Sequence, residues 1–178
     1  MDKKTKRWLS CLIFIVVLVA SGWLVPEPRY MPVDGATVAD WHPQSFWYEP
    51  WGSSGVHKGI DIFAGTDTPV IATTHLVVLF SGNLHKGGKV VLGVGPKWRL
   101  HYFAHLNHID TNLGLVKAGQ PIGRVGDSGN AAGKPPHLHY SIVSLLPRPW
   151  LVDFSTQGYK KAFFLDPGRY ITADLTSD

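Results

Sequence analysis

Hydrophobic positions fall into three textures along this chain. Residues 8–25 read WLSCLIFIVVLVASGWLV, uncharged, with Ser10, Ser21 and Gly22 as the only breaks, directly after Lys3, Lys4, Lys6 and Arg7. At 1.5 Å per residue a helix over that run reaches about 27 Å, close to the thickness of a bilayer's hydrocarbon core. The run therefore predicts an N-terminal transmembrane or signal helix over residues 1–25. A signal-peptide core is usually shorter, which favours an uncleaved anchor, although Ala20-Ser21-Gly22 offers a small-residue cleavage site. Residues 26–54 lose all periodicity and are rich in Pro, Trp and Tyr. They predict an irregular linker packing on the domain that follows, with one short strand near residues 46–51.

From Gly55 the texture changes to short, β-branched apolar runs at residues 56–63, 69–80, 89–94, 99–106, 120–125 and 138–145. Turn signals separate them, among them Gly65-Thr66-Asp67, Gly82-Asn83, Gly87-Gly88, Gly95-Pro96 and Gly129-Asn130. Closely spaced strands without a long amphipathic helix predict an all-β sandwich or barrel over residues 55–146. Residues 147–178 form a C-terminal extension in which Phe163-Phe164-Leu165 is expected to dock on the core and the last residues to fray.

Composition refines this picture in two places. At 44% hydrophobic and 17% charged residues the chain is not intrinsically disordered. The net charge of +4 invites a polyanion as partner, but its position removes that reading. Four basic residues and one acid precede the first apolar run, so the rest of the chain is nearly neutral and lacks the charge to neutralise many phosphates. No nucleic-acid partner is expected. Cys11, the only cysteine, lies inside the apolar run. Disulfides, cysteine nucleophiles and cysteine-ligated zinc are thereby excluded from the domain, and a metal site there must use histidine and carboxylate.

All nine histidines lie between His42 and His139. In a strand successive side chains alternate between faces. His57, Gly59 and Asp61 then share one face, with room for an ion over the glycine. His137 and His139 share another, opposite Leu138 and Tyr140, and His101, Phe103 and His105 a third. Such a set suits metal-assisted hydrolysis, in which three protein ligands hold zinc and leave a position for water. Histidines beside the ion can move protons or steady an oxyanion. His42, His75, His85 and His108 have no partner spacing, and His101 is near the set by parity alone. Spacing by itself leaves open whether His57, Asp61 and His139 meet at one ion.

Five ordered segments carry a resemblance. Gly55-Val56-His57-Lys58-Gly59-Ile60-Asp61-Ile62 resembles the HxGxD segment of the LytM/lysostaphin-type zinc metallopeptidases, and Gly65-Thr66-Asp67-Thr68-Pro69-Val70-Ile71-Ala72 the GTPV-A stretch after it. Tyr102-Phe103-Ala104-His105-Leu106 is similar to their YAHL element, and Gly119-Gln120-Pro121-Ile122-Gly123-Arg124-Val125-Gly126 to their GxxIGxxG strand with Gly129-Asn130 as its turn. Pro135-Pro136-His137-Leu138-His139-Tyr140 matches the closing HLHF element. The resemblance implies an antiparallel β-sheet groove of the duplicated hybrid-motif type. It further implies a Zn2+ cofactor held by His57, Asp61 and His139, and His105 and His137 as unligated catalytic histidines. Phe103 and Ser141 depart from the usual residues and are expected to line the groove.

The implied activity is that of an exported zinc metalloendopeptidase, tethered to the membrane in the cell envelope, cleaving peptide bonds of peptidoglycan cross-bridges or stem peptides. A non-enzymatic module that binds peptidoglycan or activates amidases is the alternative from another class. A periplasmic peptidase for protein or peptide substrates is a third.

Overall fold

The computed structural model describes residues 2–173, so the expected fraying of the last residues lies outside the described part. Helix α1 spans Lys3–Ser21, with the Asp2 side chain accepting a hydrogen bond from the Thr5 N–H at 2.7 Å as its N-cap. Gly22 ends the helix, and Pro26 follows soon after. The helix therefore stops four residues before the apolar run does. Its apolar part, residues 8–21, reaches only about 21 Å at 1.5 Å per residue, short of the ~30 Å of a hydrocarbon core. Among the described residues no helix is long and apolar enough to cross a membrane, so the transmembrane reading finds no support in the fold. The C-terminal end of α1 instead meets the domain: Trp98 Nε1 donates to the Val19 carbonyl at 2.9 Å and the Lys97 N–H to that of Gly22 at 2.7 Å.

The linker lies on the domain. Val33 and Trp41 are buried, and Glu27 accepts from Lys97 and Arg99. No strand forms near residues 46–51. Pro43 and Pro50 bracket that stretch, Trp47 has φ 64°, and only two backbone bonds join it to His57.

Among the described residues ten strands form the body: β1 Ile60–Phe63, β2 Pro69–Ile71, β3 Leu76–Leu84, β4 Gly88–Gly95, β5 Arg99–Leu106, β6 His108–Ile109, β7 Gly114–Val116, β8 Pro121–Arg124, β9 His137–Ser144 and β10 Phe164–Leu165. The larger sheet runs β1-β9-β5-β4-β3-β7 with β10 also on β9, and the smaller runs β2-β8-β6; every pairing is antiparallel. The run at residues 69–80 divides between the two sheets, breaking at the buried Thr73 and Thr74. Helix α2, Pro167–Thr172, closes the described chain, capped by Asp166. One core cluster joins both sheets, with Ile60, Ile62, Phe103, Leu138, Tyr140 and Ile142 from the large one and Val70 and Ile122 from the small.

His101 belongs to this core rather than to any site. It is fully buried, with Nδ1 2.7 Å from the Tyr140 hydroxyl. Burial, and after it the charge of Arg99, pushes its imidazole down to about 3. The unfolded chain thus binds a proton below about pH 6.5 that the folded chain refuses, so stability falls as pH drops from 6.5 toward 3. Between pH 7 and pH 5 this one group is expected to remove about 2 kcal/mol. Urea unfolding at the two pH values should show that loss, and should show a smaller one in His101→Gln, which keeps a donor for Tyr140 but does not titrate. An unchanged pH dependence in the variant would refute the assignment.

Candidate active site

Pairing of β1 with β9 places Asp61 opposite His139 and Phe63 opposite His137. Ile60 and Ile62 turn to the core, so Asp61, His137 and His139 look outward on one face. His57 precedes β1 and arrives over Gly59. A Cβ at Gly59 would stand 2.5 Å from both Ser141 Oγ and the Tyr140 carbonyl, so only glycine lets this segment lie so close to β9.

Strand β5 supplies the fourth histidine by breaking its own alternation. Tyr102 and Ala104 face the site, and Phe103 is fully buried beside Tyr140. Strict parity would turn His105 into the core beside Phe103. Instead His105 has φ 66°, where the β4–β5 register shifts, and its ring swings out to 5.1 Å from that of His137 and 5.9 Å from that of His139. Leu106 then takes the core position. Phe103 is thus a core residue and not a groove residue, and Tyr102 lines the cleft in its place. Ser141 is likewise buried under the site. His101 stays on the core face, while His42, His75, His85 and His108 line neither lobe of the cleft.

Three acceptor atoms converge at the centre. His57 Nε2 lies 3.1 Å from Asp61 Oδ1, His139 Nδ1 lies 2.7 Å from the same oxygen, and the two nitrogens are 3.1 Å apart. The opposite ring nitrogens are engaged elsewhere. His57 Nδ1 donates to the Ser45 carbonyl at 2.9 Å. His139 Nε2 meets Ser141 Oγ at 3.0 Å, and that hydroxyl gives its own proton to the Lys58 carbonyl at 2.8 Å. With both N–H groups turned away, two lone pairs and a carboxylate oxygen face one point, an arrangement a cation relieves. This donor set of two imidazoles and a carboxylate fits zinc. Burial raises the Asp61 carboxyl, but the imidazoles of His139 and His57 outweigh it and hold the group well below the usual carboxylate range.

The remaining pair is prepared in the same way. His105 Nδ1 donates to the Ser128 carbonyl at 2.9 Å and His137 Nδ1 to that of Pro135 at 2.8 Å, which turns both Nε2 atoms toward the cleft, that of His137 lying 3.9 Å from Asp61 Oδ2. Burial pushes His105 down to about 4, against the pull of the Ser128 carbonyl, so its imidazole is neutral at pH 7. Ser45 and Ser128 escape a sequence reading, because a serine carbonyl carries no spacing signal, and Ser141 stands out there only as a groove residue, not as the partner of His139.

A strap at residues 51–55 lies over the ligands. Trp51 stacks on the His57 ring with centroids 4.0 Å apart and planes 21° apart. Ser53 Oγ accepts from Lys86 Nζ at 2.8 Å, and the Ser54 carbonyl from Lys58 and Gln157. Two lobes flank it. One, about 190 Å³, is lined by Trp51, Lys58, Lys86, Tyr102, His105 and His139; the other, about 290 Å³, by Trp51, Asp61, His105, Lys134 and His137.

An antiparallel β fold carrying a His/Asp/His centre beside two free histidines defines a metallopeptidase class. The profile of peptidase family M23 matches residues 55–147, just over half the chain, and the chain belongs to that family. Zinc is the family's cofactor, and the donor set here fits it. Among curated relatives, the L-Ala--D-Glu endopeptidase of Bacillus subtilis (strain 168) is 38% identical over 122 residues, covering 58% of this chain and 35% of its own. Lysostaphin from Staphylococcus staphylolyticus is 31% identical over 135 residues, covering 68% and 27%. The chain thus spans about a third or less of the length of these relatives. The catalytic domain of lysostaphin from Staphylococcus simulans shares the fold, with TM-score 0.60 and 24% identity over 76% of this chain and 95% of that one. A zinc-containing peptidase from Vibrio cholerae gives 0.53 and 26%, over 66% and 36%.

Proposed function

We propose that this protein is a zinc endopeptidase that hydrolyses peptide bonds of peptidoglycan in the cell envelope. The observation that carries the reading is the convergence of His57, Asp61 and His139 on one point, their other nitrogens tied back, with two further histidines facing in. His57 Nε2, Asp61 Oδ1 and His139 Nδ1 would hold the ion. Zinc supplies a Lewis acid there, activating water near neutral pH and polarising the scissile carbonyl. His105, neutral with Nε2 free, accepts the proton released as the water attacks and returns it to the departing amine. His137, its Nδ1 proton held by the Pro135 carbonyl, presents its Nε2 lone pair beside His105 and helps to polarise the water. Trp51 holds the His57 ring in place, and the two lobes receive the peptide on either side of the ligands. The basic start followed by an apolar helix is the kind of segment that directs export.

Digestion of purified peptidoglycan, followed by mass analysis of the released fragments, tests the reading. Fragments bearing a new amino terminus are expected with the zinc-loaded protein, lost on chelation and regained on adding zinc. Intact peptidoglycan after incubation with zinc-loaded protein would overturn it.

A further inference from the structure

The charge of the cleft is unbalanced, and the imbalance points to a kind of peptide. Lys58 and Lys86 border one lobe and Lys134 the other. Among the described residues the only carboxylate lining either lobe is that of Asp61, which is committed to the metal centre. Lys58 Nζ donates to the carbonyls of Ser54 at 3.0 Å and Val56 at 3.4 Å, and Lys86 Nζ to the Ser53 hydroxyl at 2.8 Å. Among the described residues neither ammonium has a carboxylate partner. Other basic groups do meet carboxylates, Lys97 and Arg99 sharing Glu27 and Lys161 pairing with Asp153, while Lys89, Arg148 and Lys160, like the two cleft lysines, bond neutral oxygens. A bound dication adds further positive charge, and His105 is neutral at pH 7 and contributes none.

A peptide of glycines brings no side-chain charge to such a cleft. A peptide with a free carboxylate beside the scissile bond does, and a charge-assisted bond to Lys86 is stronger than its present bond to a neutral hydroxyl. Lys86 is exposed at the β3–β4 turn, so its long side chain reaches over the lobe without being buried. Building on the function proposed above, we infer that the cleft selects anionic peptides, receiving a carboxylate next to the scissile bond between Lys86 and Lys58. Acidic stem-type peptides are then preferred over glycine cross-bridges.

Two synthetic peptides that differ only in carrying glutamate or glutamine beside the cleaved bond test this with the zinc-loaded full chain. The glutamate peptide is expected to have a kcat/KM about tenfold higher or more. The ratio should shrink as salt is raised. It should fall toward one in Lys86→Met and survive in Lys86→Arg. Equal rates on the two peptides, or an undiminished ratio in Lys86→Met, would overturn the inference while leaving the peptidase reading intact. Cleavage of neither peptide nor of peptidoglycan would instead count against the peptidase reading. Zinc-loaded His105→Ala separates the two cases, because titration of its tryptophan fluorescence with each peptide reads binding without turnover. The same preference is expected there, and its absence overturns the inference by itself.

Discussion

Zinc content and hydrolysis are expected to disappear together when His139 is replaced by alanine. His139 Nδ1 lies 2.7 Å from Asp61 Oδ1 and 3.1 Å from His57 Nε2, so it is one of three donors facing a single point. Removing it leaves two donors, and the affinity of a three-ligand site depends on all of them being present and deprotonated. The side chain is only half-buried, and Ala104 stands opposite on β5, so the truncation opens no deep cavity. Metal analysis should fall from about one zinc per chain to near none, and kcat/KM by about three orders of magnitude or more. A variant that keeps its zinc, or an active wild type that never held any, would refute the assignment.

His105→Ala separates metal binding from proton transfer. Its ring stands beside His137 and His139 but offers no donor to the Asp61 cluster. Zinc content should stay at about one per chain while kcat drops by about 10²–10⁴, the usual contribution of a positioned acid–base group. The melting temperature should move little, because the residue sits in a left-handed conformation that its surroundings impose. Full activity in the variant would remove His105 from the mechanism. Loss of zinc would make it a structural support instead.

The two variants probe residues that were unequally legible in the sequence. His137 and His139 could be placed on one face from their spacing, because β9 is an unbroken strand and alternation is a local property of extended backbone. Applied to residues 101–105 the same rule put His101, Phe103 and His105 together, and the structure separates them. The register shift between β4 and β5 and the positive φ at His105 are set by what those strands pair with, and they reverse one residue's facing without altering the pattern around it. The apolar run at residues 8–25 is longer than the helix it forms for a related reason. Hydropathy counts residues, but the helix ends where Gly22 and the Trp98 contact let the chain turn onto the domain.

Local pattern and residue type by themselves determined that this chain builds an all-β domain, that any metal centre in it must be made of histidine and carboxylate, and which histidines were eligible. They could do so because alternation, turn chemistry and ligand chemistry need only neighbours in the chain. Tertiary structure alone decided which ring nitrogens are left bare, since the groups that tie back the others lie on separate segments: Ser45 behind His57, Ser128 behind His105. It alone brought His57 within 3.1 Å of His139 across 82 positions. It also gathered Lys58, Lys86 and Lys134 around one cleft without a balancing carboxylate. Proton placement and net field arise from convergence of distant segments, and no periodicity along the chain encodes that.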